Sequence, residues 1–394
     1  MNLNAVHIVL TYRCTRTCDH CFHFGKPGNA QVITSSQLKR YLSSIKTVSS
    51  VQWIFFEGGE PTLYFPLLIE GLRVAHEMGF NTAVVTNGYW ITSVRDMIPW
   101  LRQFRDVNLN LLQISIDELH ENTRLEPLQA DITDAAERAG ILCRFIGVRV
   151  PEPNDEPIGA RRGETIEEGE IVFRGRAAHR LVEPQAKWLW SSFDECPHEN
   201  LADPFRVHIE PYGNVMVCDG ISIGKLGGTD LSAILNSYDP EEHAIVGPLT
   251  RGGPAQLAID YELDHKKGYV DACHLCYAMR RSMLKDFGRE LSPGFLYGNR
   301  KSGGKNKKGS GRNRQGRRKD RQDGEKGQRD GGGRGLRKNH ERKHGDQNSR
   351  VNERDHERKH GDQNSRDNER DHERKTDKEN LESQESHHDG GDEK

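Results

Sequence analysis

The run AVHIVLT at residues 5–11, followed at once by YRCTRTCDHC at residues 12–21, governs how the rest of the chain is read. A short apolar stretch rich in β-branched residues predicts a buried strand. That strand runs straight into a loop carrying Cys14, Cys18 and Cys21 at CxxxCxxC spacing. Working outward, VQWIFF at 51–56 predicts a second strand, ending in Glu57-Gly58-Gly59-Glu60-Pro61, which must turn. Third, fourth and fifth strands are expected at 82–85, 111–116 and 141–150. Helices are expected between them at 34–46, 67–78, 93–104 and 134–139, the third with Pro99 as a candidate kink. Strand, loop and helix in repetition imply parallel strands joined by right-handed crossovers, an α/β class with an open or partial β/α barrel. In such sheets the chemistry gathers at the C-terminal ends of strands. The suggestive residues all fall there: the cysteine loop, Gly58–Glu60, Thr86-Asn87-Gly88, and Ser115 with Asp117.

Three thiolates can hold three irons of a cubane 4Fe–4S cluster and leave the fourth iron open, as a catalytic metal site requires. The alternatives are incidental thiols or a zinc site. Zinc structural sites usually draw four ligands from two CxxC-like pairs, which three cysteines in one loop fit poorly, although His20 or His23 could complete such a set.

CxxxCxxC after the first strand, with Gly58-Gly59-Glu60-Pro61 after the second, resembles the radical S-adenosylmethionine (SAM) superfamily over roughly residues 5–150. His20, before the third cysteine, stands where an aromatic residue is frequent. The resemblance implies a partial parallel (β/α)6-type barrel over residues 1–180. It implies Cys14, Cys18 and Cys21 as cluster ligands and SAM on the open iron. Gly58, Gly59 and Glu60 match the segment that contacts the SAM amino group, and Asn87 and Ser115 match positions near its ribose or carboxylate. Paired glycines allow close backbone approach. Read alone, the same residues are ordinary turn formers. The implied chemistry is reductive cleavage of SAM to a 5′-deoxyadenosyl radical that abstracts hydrogen from a substrate, with the protein positioning the reactants. A flavodoxin- or ferredoxin-type electron donor is implied as partner.

A second group comprises Cys196, Cys218, Cys273 and Cys276. Gly213-Asn214-Val215-Met216-Val217-Cys218, within a predicted hairpin whose strands flank Pro211–Asn214, resembles the SPASM/twitch extension. That extension carries an auxiliary 4Fe–4S cluster, here in a one-cluster version over residues 181–298. A four-cysteine zinc site is the alternative. Cys143 reads as a small buried residue. Asp219 reads as a solvated turn residue, with a base or substrate contact as the alternative. Gly175-Arg176-Ala177 resembles a short segment of some twitch-bearing relatives and receives no role.

The chain has 394 residues, and its last quarter differs from the rest. From residue 301 onward the only aliphatic residues are Leu336, Val351 and Leu381, and no aromatic residue occurs. Such a segment cannot bury enough apolar surface to offset its ordering entropy, so residues 299–394 are expected to be a disordered charged tail. It holds a 16-residue repeat, seen as HERKHGDQNSR from His340 and again from His356, with no apolar face to stack. From residue 301 onward the chain carries 27 Lys+Arg against 21 Asp+Glu, leaving residues 1–300 acidic by eight charges. An acidic folded part gives no general reason for nucleic-acid binding. The basic block at 301–338 is a candidate polyanion contact, without the aromatic residues that stack bases. No run approaches the ~20 apolar residues needed to span a bilayer, and no basic start marks a signal peptide. Eight cysteines then point to the reducing cytoplasm and to metal binding. Three functions compete: a radical SAM enzyme acting on a peptide or protein, one acting on a small molecule or cofactor precursor, and a non-catalytic iron–sulfur electron carrier or binding protein.

Overall fold

The computed structural model describes residues 2–150 and 168–298. The charged tail, with its repeats and basic block, lies outside the described residues. The first half alternates strand and helix: β1 (Ala5–Thr11), α1 (Ser35–Ile45), β2 (Trp53–Gly58), α2 (Phe65–Glu77), β3 (Asn81–Thr86), α3 (Val94–Asp106), β4 (Leu111–Ser115), α4 (Gln129–Arg138), β5 (Leu142–Arg149) and β6 (Glu168–Glu170). There follow α5 (Ala177–Arg180), β7 (Trp188–Leu189), β8 (Arg206–Ile209), β9 (Asn214–Cys218), β10 (Ile221–Lys225), α6 (Leu231–Ser237), α7 (Val246–Asp260), β11 (Gly268–Tyr269) and α8 (Ala272–Met283).

Strands β1 to β6 are parallel neighbours, with a helix between each successive pair from β1 to β5, in an open α/β sheet of nine strands among the described residues, ordered β10-β9-β8-β1-β2-β3-β4-β5-β6. Strand β8 joins β1 in parallel, and β9 and β10 continue antiparallel. Residues 206–225, placed by sequence in the second region, thus extend the barrel's own sheet. The reason lies in β1, whose seven residues are all buried. A strand buried on both faces needs a neighbour on each edge to satisfy its backbone groups, and β2 and β8 supply them. Strands β7 and β11 form a separate two-stranded ribbon.

Side chains on β1 alternate between two surroundings. Val6, Ile8 and Leu10 enter the core shared with Leu38 and Leu42 of α1 and Leu68 and Leu72 of α2. Truncating Ile8 or any one of these leucines to Ala costs about 2–5 kcal/mol. His7 lies on the opposite, inner face beside Phe55 and His208. Helix α1 begins where the cysteine loop ends, because Thr34 and Gln37 cap each other's backbone N–H groups in a capping box. Helix α4 starts at Gln129, earlier than the sequence suggested, because a 3-10 turn over Thr123–Leu128 leads directly into it. No helix among the described residues is long and apolar enough to cross a membrane.

Candidate functional site

The three cysteines of the first loop sit at the C-terminal end of β1. Cys14 is buried, and Cys18 and Cys21 are partly so. N–H groups point at two of the sulfurs. Arg16 N donates to Cys14 Sγ at 3.4 Å, Asn87 Nδ2 to the same sulfur at 3.5 Å, and Gly25 N to Cys21 Sγ at 3.3 Å. Burial, reinforced by Cys21 and Cys14, pushes the Cys18 thiol up to about 12, and burial raises Cys14 as well. Thiols raised in this way ionise together only around a cationic group.

The Gly58–Glu60 segment holds this loop in place. Gly59 N donates to Thr11 O at 2.7 Å and Glu60 N to Arg13 O at 2.8 Å. A Cβ at Gly59 would lie 2.3 Å from Arg13 O, and one at Gly58, where φ is +152°, would lie 2.3 Å from Thr11 O. The glycine pair is therefore required by contact between the ends of β1 and β2. The Glu60 carboxylate is wholly buried. It accepts from Thr62 N and Oγ1 at 3.1 and 2.6 Å, Thr86 Oγ1 at 2.8 Å and Asn87 N at 2.8 Å. Its side chain ties β2 to β3, which leaves the backbone of this segment as the part able to meet a ligand.

Asn87 reaches back to the loop, with Nδ2 also donating to Thr15 Oγ1 at 3.1 Å. Ser115 and Asn87 are joined through Asn122, whose Nδ2 donates to Asn87 O at 2.8 Å and Ser115 O at 2.9 Å. Nothing in the sequence marked Asn122. Asp117, at the same strand end as Ser115, accepts from His120 Nδ1 at 2.7 Å and Val148 N at 3.1 Å. Arg176, also given no role, donates from Nε to Cys18 O and from Nη2 to Gly25 O, both at 2.7 Å. Gly175 precedes it at φ +59°, where a Cβ would lie 2.3 Å from Phe22 Cα. The pair Gly175-Arg176 clamps the cysteine loop from outside. The signal for it was the buried arginine beside a glycine, which becomes visible only once the loop lies against it.

The second group brings Cys196, Cys218 at the end of β9, and Cys273 and Cys276 on the first turns of α8 into mutual electrostatic reach. Two arginines attend it: Arg174 Nη1 donates to Cys218 Sγ at 3.4 Å, and Arg280 bonds Cys276. Asp219 is not the solvated turn residue that its sequence position suggested. It is buried, with Arg174 Nη2 at 2.9 Å and His23 Nε2 at 3.1 Å. Burial alone would raise its carboxyl, but Arg174 and then His23 overcome this and hold it well below the usual carboxylate range. A turn exposes its residues only when nothing packs over it, and here the cysteine loop and the segment at 174 do. Cys143 packs in the main core, as its apolar neighbours suggested.

Arg16 Nη1 and His20 Nδ1 near the first group, and Arg174 Nε, His198 Nδ1 and Arg280 Nε near the second, are buried without a hydrogen-bond partner among the described residues. Polar atoms of that kind are costly unless a polar group meets them. The donor sets, the N–H groups aimed at sulfur and these orphaned atoms suit anionic sulfur-ligated metal groups at both places.

Comparison with known proteins agrees with this geometry. Residues 8–150 match the model of the radical SAM superfamily. The chain is 26% identical over 115 residues to the putative peptide biosynthesis protein YydG of Bacillus subtilis (strain 168), covering 29% of this chain and 36% of that protein. It is 30% identical over 121 residues to the S-adenosylmethionine-dependent nucleotide dehydratase of Selenomonas ruminantium, covering 30% of this chain and 40% of that protein. The matched part thus spans well under half of either relative. Among solved structures, BtrN in complex with AdoMet and 2-DOIA aligns over 60% of this chain and 83% of that one, at a TM-score of 0.40 and 12% identity. The sequence reading and the family match agree on one statement: residues 8–150 are similar to the radical SAM superfamily.

Proposed function

We propose that the chain is a radical SAM enzyme that modifies a peptide or protein. Cys14, Cys18 and Cys21 hold its 4Fe–4S cluster, and the backbone at Gly58–Glu60, together with Asn87 and Ser115, cradles SAM. The observation that carries this reading is a loop offering three thiols, with N–H groups of Arg16, Gly25 and Asn87 aimed at their sulfurs. Three ligands suit a four-iron group that must keep one iron open. When bound, such a cluster supplies the electron for reductive SAM cleavage. The chain's own contribution is position. Glu60 and Asn122 lock three strand ends together, Arg176 fixes the loop, and the buried surroundings keep water away.

At the second group we propose an auxiliary 4Fe–4S cluster on Cys196, Cys218, Cys273 and Cys276, within a twitch-like region of residues 181–298. Four thiolates on one zinc at about 2.3 Å must lie about 3.8 Å apart. Among the described residues, no three cysteines bring their sulfurs within 4.8 Å of one another. That spacing favours the larger group. With four ligands, its role is electron transfer or structure. The similarity to a peptide biosynthesis protein supports a peptide substrate, and the similarity to a nucleotide dehydratase favours, as second reading, a small molecule. A flavodoxin- or ferredoxin-type donor and a reducing, cytoplasmic setting complete the proposal.

Anaerobic reconstitution with iron and sulfide tests both assignments. About eight irons per chain, falling to about four when Cys14, Cys18 and Cys21 become Ala, is the expected result, with 5′-deoxyadenosine formed only by the parent. A variant that kept all its iron would remove the first loop from the mechanism. A parent with four irons and a variant with none would remove the auxiliary cluster.

A further inference from the structure

We propose that His7, Glu57 and His208 form a site for one divalent cation of the zinc or iron(II) class, on the inner face of the sheet and separate from both cysteine groups. The three residues stand on three adjacent strands. His7 and His208 are register partners across β1 and β8, and Glu57 on β2 pairs with Val9, two residues along from His7. Strand alternation turns all three to the same face. His7 Nδ1 lies 3.0 Å from Glu57 Oε2, and His208 Nδ1 lies 2.9 Å from Glu57 Oε1. One ligand atom from each residue lies within 4.8 Å of the other two, and no other trio of His, Cys, Asp or Glu among the described residues meets that spacing.

The distances suit an ion. Two ligands about 2.0–2.1 Å from one metal lie about 2.9 Å apart at a right angle and about 3.3 Å apart in a tetrahedron, so the imidazole–carboxylate distances fall at the lower edge of that range. Two imidazoles and a carboxylate form a donor set that borderline cations accept and that leaves coordination positions open. His7 is 6% exposed, and the His208 and Glu57 side chains are 12% and 15% exposed, so the carboxylate sits in a poorly solvated place where a cation is worth most. Arg206, the nearby cation, is occupied by Glu199 at 2.9 Å. Phe55 stacks on His7 with centroids 4.4 Å apart and planes within 6°, which fixes that ring's orientation. A cation here would be a Lewis acid facing the inner space of the sheet, able to polarise a substrate oxygen. The inference stands on these three residues alone and does not depend on what the cysteine groups bind.

The test is a zinc titration of the full-length, cluster-loaded protein, followed by calorimetry and by zinc and iron counts, beside Glu57→Gln and His208→Gln. The tail histidines give a background common to all three proteins. Expected is one additional zinc per chain in the parent, weakened more than tenfold in each variant while iron stays constant. Equal zinc binding in parent and variants, or zinc gained only as iron is lost, would overturn the proposal. Should the variants fail to fold, the parent alone decides. Loaded with less than one equivalent of Co2+, it should show pulsed-EPR couplings to two imidazole nitrogens, and their absence rejects the site.

Discussion

The two cysteine groups are built in opposite ways. The first draws Cys14, Cys18 and Cys21 from an eight-residue span of the loop between β1 and α1. The second gathers Cys196, Cys218 and the α8 pair Cys273 and Cys276 from three separate places, spread over about eighty residues. The local group is held through its backbone: N–H groups aimed at sulfur, a glycine pair, and carbonyls gripped by Arg176. The dispersed group is held by buried charge, with Arg174 and Arg280 against thiols and Asp219. A local site inherits its geometry from a turn. A dispersed one needs charges whose desolvation cost can be met only when every partner arrives.

The comparison can be broken at Asp219, which touches both sides through His23 and Arg174. Asp219→Ala leaves a buried guanidinium without its carboxylate, and chemical denaturation should show a loss of about 3–5 kcal/mol. A loss under about 1 kcal/mol would mean that charge does not organise the second group.

Glu210, wholly buried beneath the loop beside Tyr12, gives a pH-dependent version of the same contrast. Burial pushes its carboxyl up to about 7, against hydrogen bonds from the Asn214 backbone, Tyr212, the Asn214 side chain and Tyr12 that act the other way. The folded state therefore binds a proton that the unfolded chain has already released above about pH 4.5. Stability should fall as pH rises from about 4.5 to 7, by up to about 3 kcal/mol. Glu210→Gln should flatten denaturation midpoints across that window, and an unchanged slope would reject the assignment.

Gly59→Ala tests the local, backbone-held side. Its Cβ meets the Arg13 carbonyl at 2.3 Å, so the ends of β1 and β2 must part, at about 1–3 kcal/mol, with loss of iron from the first group only. The smallest effect belongs to Gly28→Ala in the same loop. Nothing lies within 4 Å of the added carbon, and thermal melts should place it within about 0.5 kcal/mol of the parent.

What the sequence made readable follows the same division. The parallel α/β sheet was legible because β1 to β5 are apolar runs spaced by amphipathic helices, each a local signal. The meeting of the first loop with Gly58–Glu60 and Asn87 could be anticipated, since strand ends in a parallel sheet share one edge. The attachment of β8 to β1 could not, because the pairing joins residues about 200 apart and has no local signature. For the same reason Asp219 looked exposed, and Arg176, Asn122 and the trio of His7, Glu57 and His208 carried no mark. Each acquires its surroundings from segments distant in sequence.

The central place of β1 also bears on how the protein is made. Its sequence leaves the ribosome before those of its two partner strands, and β2 covers one edge soon after. The other edge waits for Arg206–Ile209, about 150 residues later. At about 5–20 residues per second, that is an interval of roughly 10–30 s. Through it, the nascent half-sheet carries an unpaired apolar edge beside three free thiols, and such an edge is the kind of surface that other strands seek. Co-translational chaperoning, or early delivery of iron and sulfide to Cys14, Cys18 and Cys21, would therefore matter most before the second half of the chain exists.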